Sequence, residues 1–176
     1  SINYSRFFVT TLLFDNSLSL NKRSVFTMPM EEHEDYLDEF NLDNDGDFVF
    51  AKFNRNNNET INSTNLIWKK ADSDTITDIS VPQKDILLDE IHIKVDNANK
   101  RYFLTSFYYK QKRGIIEGFY FYVWDKQTKY PVLNNSVVLG DELRKEARGD
   151  ANSKMAFNDY FIKNVIIKRD GGFLIN

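Results

Sequence analysis

Three segments of this chain share one frame: alternating apolar residues, a short turn of Asp, Asn and Gly, and a returning strand led by an aromatic side chain. Residues 40–50, Phe-Asn-Leu-Asp-Asn-Asp-Gly-Asp-Phe-Val-Phe, align without a gap to residues 165–175, Val-Ile-Ile-Lys-Arg-Asp-Gly-Gly-Phe-Leu-Ile. Residues 93–104 fit the same frame with one extra residue. A further pair, Arg6–Phe14 and Arg101–Tyr109, matches in character at every position. Asp-Gly between apolar runs is a strong hairpin signal, because glycine accepts the positive φ that tight primed turns require. A chain that repeats this signal is constrained to hairpins and hence to an all-β fold.

The phenylalanines that anchor these units, Phe8, Phe48, Phe103 and Phe173, are separated by 40, 55 and 70 residues. These intervals centre near the size of a four-stranded unit, and their unevenness fits insertions on a common plan. The expectation is therefore a run of consecutive antiparallel blades in a β-propeller-like array; a compact β-sandwich built of ordinary hairpins is the alternative. Residues 66–70 and 88–95 read as strands, and residues 102–109 and 115–124 as a hairpin around the turn at 110–114. The strand from Ile116 to Trp124 is aromatic on both faces, which predicts burial on both sides, as between stacked sheets. One inserted helix is expected, capped by Asp141 and ended by Gly149. The acidic stretch Glu31–Glu39 reads as a loop. The whole of residues 1–176 reads as a single β-repeat segment. With Ser1 first and Asn176 only three residues past Phe173, it is expected to be part of a longer chain.

Composition narrows function mainly by exclusion. Aromatic residues make up 15% of the chain, with 15 Phe and 9 Tyr, which suits pleated and half-buried surfaces. Net charge is −3 and the basic clusters (Lys110, Lys112 and Arg113; Arg144, Lys145 and Arg148) are short, so no nucleic-acid partner is expected. No cysteine is present, which removes disulfides, thiolate metal sites and cysteine nucleophiles. No apolar run reaches the roughly 18–20 residues of a membrane helix, so no direct membrane insertion is expected.

Candidate sites each meet a plainer explanation. Asp43, Asp45 and Asp47 around Gly46 suggest calcium, but the Gly and Glu positions of an EF-hand loop are filled by Phe48 and Asn54. The corresponding turns carry Asn97 and Asn99, or Asp170 with two glycines, so turn chemistry accounts for the carboxylates more simply, and calcium at this turn stays open. His33 lies in an acidic run, and His92 sits on the polar face of a strand beside Glu90 and Lys94, where an exposed cross-strand pair is expected. No nucleophile-elbow pattern accompanies either histidine. Glu117, in an aromatic strand beside Gly118, is the acid best placed for glycan chemistry, with Trp68, Tyr120, Tyr122 and Trp124 as stacking candidates; those aromatics read first as core. The Asn-X-Ser/Thr triplets at Asn3, Asn58, Asn62 and Asn134 carry no assigned role. No catalytic, cofactor-binding or metal-binding residue is assigned, and no cofactor is expected.

Residues 154–173, together with Ile116-Glu117-Gly118 and Phe121-Tyr122-Val123-Trp124-Asp125, resemble uncharacterised, Asn- and Lys-rich exported proteins of Bacteroidetes with propeller-type repeats. The resemblance covers the C-terminal half and transfers no catalytic residue. It implies an extracytoplasmic location, in the periplasm, at the outer membrane or on the cell surface. The function expected is a non-enzymatic scaffold or interaction module, a partial β-propeller binding a protein partner or the remainder of a longer chain. The alternatives are a carbohydrate-binding or glycan-processing propeller and a β-sandwich accessory domain.

Overall fold

Alternation at period two, with apolar residues on both faces, explains the architecture. In the strand Phe48–Arg55, Val49, Ala51 and Phe53 enter one core cluster while Phe50 enters another. In the strand Gly118–Asp125, Tyr120, Tyr122 and Trp124 join the first cluster and Phe119 and Phe121 a third. A sheet apolar on both faces must be covered on both, so the chain stacks sheets in layers.

The computed structural model describes residues 4–31, 34–55, 60–112, 114–148 and 160–176. Its elements are β1 (Tyr4–Phe14), β2 (Leu20–Glu31), β3 (Asp35–Leu42), β4 (Phe48–Arg55), β5 (Ile61–Lys69), β6 (Ile76–Val81), β7 (Leu87–Leu88), β8 (His92–Asp96), β9 (Arg101–Tyr109), β10 (Gly118–Asp125), β11 (Tyr130–Val138), α1 (Asp141–Arg148), β12 (Val165–Ile167) and β13 (Phe173–Ile175). The fold is all-β, its ladders antiparallel, with one short helix.

Strands β3 to β6 form one four-stranded meander and β8 to β11 a second, each paired in chain order. The two-residue β7 pairs with both β5 and β9 and so joins the meanders into a nine-stranded sheet folded over on itself. Between the folded halves lies the main core, where Trp68 and Trp124 sit 5.1 Å apart at 59° and Trp124 stacks on Tyr102. The β1–β2 hairpin covers the outer face of the first meander through Phe26, Met28 and Met30. The β12–β13 hairpin, with Ile162, covers the outer face of the second through Val165, Phe173 and Ile175. This makes four layers, with the central strands β4, β5, β9 and β10 of the meanders buried on both sides; two facing sheets are also the core of a sandwich, and no closed ring is formed among the described residues.

The expected β9–β10 hairpin is present, with β10 beginning at Gly118 and buried at every position. A Cβ at Gly118 would lie 2.1 Å from the Val137 carbonyl oxygen and 2.6 Å from the Tyr108 ring, so only glycine allows β10 this close to its neighbours. The acidic stretch is strand at both ends: β2 runs to Glu31 and β3 starts at Asp35, because Asp35 and Tyr36 find ladder partners in Asn54 and Phe53; residues 32 and 33 lie outside the described residues. Residues 88–95 are not one strand either. Leu88 ends β7 and His92 begins β8, since the two segments pair with different stretches of β9. Residues 66–69 belong to the longer β5, and Lys70 lies just past its end. Helix α1 is formed from Asp141 and pinned by Arg144, which donates to the carbonyls of Ile116 and Leu139; Gly149 lies outside the described residues.

Candidate functional site

The recurrent turns are built by aspartate. Asp43 Oδ1 accepts the backbone N–H groups of Asp45 and Asp47, Asp96 Oδ1 those of Ala98 and Asn99, and Asp125 Oδ1 those of Gln127 and Thr128. Each turn includes a left-handed residue, namely Gly46 (φ 82°), Lys100 (φ 56°) and Lys129 (φ 58°). A carboxylate that caps two amides offers the backbone a local alternative to the ladder and fixes the reversal. Gly171 (φ 84°) and Asp170, which accepts the Gly172 N–H, repeat the device in the last hairpin.

Because the layers stack, the turns stand side by side. Asn97 accepts the Asn44 N–H at 2.7 Å, and Asn99 donates to the Arg169 carbonyl at 3.3 Å. Here Lys126, from the β10–β11 turn, enters the first acidic turn and places its ammonium 2.5, 2.6 and 3.0 Å from Asp43, Asp45 and Asp47. Tyr102 donates to Asp43 at 2.9 Å, Trp68 Nε1 to Asp47 at 3.2 Å, and Lys100 to Asp45 at 2.7 Å. Burial pulls the Lys126 pKa down, but the hydrogen bonds to the three carboxylates outweigh it and hold the ammonium above its ordinary range. Hydrogen bonds from Lys100, then Lys126, hold Asp45 at about 2, below its usual 3.8. Burial, then the bond to Asp43, keeps Tyr102 protonated far into the alkaline range.

The three carboxylates of the calcium candidate thus face a cation supplied by the chain itself. The place a cation would take among Asp43, Asp45 and Asp47 is held by the Lys126 ammonium, and no cluster of three or more His, Asp or Glu among the described residues is arranged to hold a metal. Sequence reading found the carboxylates and missed Lys126, which is 79 residues from Asp47 and carries no local signal.

The other candidates separate. Trp124 is 3% exposed and Trp68, Tyr120 and Tyr122 are also core, so the exposed aromatic beside an acid that glycan stacking needs is not formed by Glu117 and Trp124. Glu117 acts through its backbone, donating to the Tyr108 carbonyl and accepting from the Leu139 N–H. His92 is half-buried rather than in an exposed pair with Glu90 or Lys94. Its Nδ1 lies 3.8 Å from Glu39 Oε1, and Glu39 also accepts the Ile93 N–H, so the two link β3 to β8. His33 lies outside the described residues.

The surface offers one further feature. Strand β11 is exposed at all nine positions and contains no charged residue, and among the described residues it pairs only with β10. Sequence reading passed over it because Tyr-Pro-Val-Leu-Asn-Asn-Ser-Val-Val lacks clean alternation. No helix among the described residues is long and apolar enough to cross a membrane. No family model, curated protein or solved structure matches the chain.

Proposed function

We propose that the chain is a non-enzymatic interaction module, a run of propeller-like layers that takes a strand from a protein partner along the open edge of β11. The observation that carries this reading is the edge itself. Natural sheets blunt their edges with short strands, charges or covering segments. The equivalent strand of the first meander follows that rule: β6 has six residues, and its Asp78 is held by Asn65. Strand β11 carries Pro131 and a bulge at Val132 near its start, but from Leu133 to Val138 it has neither charge nor proline and, among the described residues, no strand beyond it, and such an uncharged edge is the surface to which an extended peptide adds by backbone hydrogen bonding. Two further features support binding over chemistry: the acidic cluster is occupied by Lys126, and Trp68, Tyr120, Tyr122 and Trp124 are committed to the core. The cell-envelope location comes from the resemblance and is part of the same proposal.

A photo-crosslinking side chain in place of Val138, presented to an envelope fraction, is expected to give one discrete protein adduct that Ser136→Pro abolishes. Adducts insensitive to Ser136→Pro, or saturable binding or cleavage of glycans by the wild-type chain, would refute the proposal.

A further inference from the structure

The layer between the β1–β2 hairpin and the first meander changes character along its length. From β2, the inward residues Met30, Met28 and Phe26 are apolar and buried, but the same face continues as Ser24 and Lys22. From β5, Ile67 is followed on the same face by Lys69. At this cationic end the layers leave a cavity of about 270 Å³. Its walls carry Lys22, Lys69 and Ser24 beside Leu13, Leu42 and Phe48, and among the described residues no acidic one lines it.

Lys69 is the unusual wall residue. It is 4% exposed, and among the described residues its ammonium has one hydrogen-bond partner, the Lys70 carbonyl at 3.1 Å, and no carboxylate within ion-pair distance. A buried ammonium without a counter-charge is costly, and a second lysine in the same walls adds repulsion. The two effects act together on Lys69, where burial first and Lys22 second pull the pKa down, against weaker support from Asp74, Asp47 and Asp72. Among the described residues, Lys22 itself has only a loose pair with the exposed Asp74 at 3.8 Å. An anion in the cavity would relieve both costs, and the leucines and Phe48 would take its apolar body.

We propose that this interlayer cavity binds a small carboxylate with a short apolar tail, its carboxylate between Lys69 and Lys22 and its tail against Leu13, Leu42 and Phe48. Charge complementarity selects the occupant: two cations, no acid, and an apolar remainder. The site is independent of the β11 edge and stands or falls separately from the partner-binding reading.

The probe is hexanoate, compared with hexanol and inorganic phosphate by isothermal titration and by amide NMR shifts on the full chain. Hexanoate is expected to bind saturably at millimolar concentration or below, shifting the amides of Lys22, Ser24 and Lys69, and at least tenfold more tightly than either comparator. Lys69→Met keeps the stem and removes the charge; it should weaken hexanoate at least tenfold, leave hexanol unchanged, and keep or raise the melting temperature. Lys22→Gln should weaken hexanoate by a smaller factor. Absence of saturable binding would overturn the site, as would equal affinity for hexanol or phosphate, or hexanoate affinity indifferent to Lys69→Met. A melting temperature that falls in Lys69→Met would overturn the premise that its charge is uncompensated.

Discussion

The turns at 43–47 and 168–172 share a frame and a backbone yet live in different electrostatic worlds. Each reverses the chain around a positive-φ glycine, Gly46 or Gly171, with an aspartate oxygen capping the amides. In the first, the carboxylates are closed over by Lys126 from the β10–β11 turn and by Tyr102 and Trp68 from other strands; in the last, Asp170 pairs, among the described residues, only with its neighbour Lys168, and both side chains are more than 60% exposed. The local pattern specifies the reversal, and the neighbours specify what its charges do. A buried ion cluster is unforgiving of a missing partner, whereas an exposed pair contributes little.

The largest test of that contrast is Lys126→Met. It strands the buried carboxylates of Asp43 and Asp47 and is expected to cost about 3–5 kcal/mol in denaturant unfolding. A loss below about 1 kcal/mol would mean that the cluster contributes no more than a surface pair. Next comes Gly46→Ala, at about 2 kcal/mol. The left-handed backbone is strained for any Cβ, and here the added atom also lies 3.2 Å from the Ala71 Cβ. Gly171→Ala shares the strain but meets nothing closer than 3.7 Å, so about 1 kcal/mol is expected; equal costs in the two variants would erase the packing difference between the turns.

Acid should separate the turns in the same way. Asp45 sits at about 2 when folded against 3.8 ordinarily, so its contribution is fully present above pH 3.8 and is lost as pH falls through 2. A carboxylate titration followed by NMR should place its midpoint near 2 and move it upward in Lys100→Met; a midpoint unmoved by that change would remove Lys100 as the main cause. The smallest effect is Asp170→Asn, expected to leave the melting temperature essentially that of wild type; a clear drop would mean that this exposed pair contributes more than a surface contact.

The hairpin rhythm was legible because turn chemistry is local: Asp, Asn and Gly at 43–47, 96–100 and 168–172 announce reversals whatever surrounds them. The two-sided burial of β10 was legible for a similar reason, since Phe119 to Trp124 leave no polar face to turn toward water. Strands β6 and β11 were not, because Ile76–Val81 and Tyr130–Val138 are edge strands whose form depends on the ladder beside them. The acidic residues from Asp35 to Glu39 lie in a strand for the same cause, held by β4 and, through Glu39, by β8.

What the sequence determined by itself is an antiparallel all-β chain of aspartate-capped hairpins, apolar on both faces and therefore layered. What only the tertiary structure decided is the meeting of distant charges. Lys126 fills the acidic turn, and Lys69 and Lys22 share a cavity without an acid. Backbone turns and period-two burial are set by neighbours along the chain, whereas the partner of a charge is set by which layers stack.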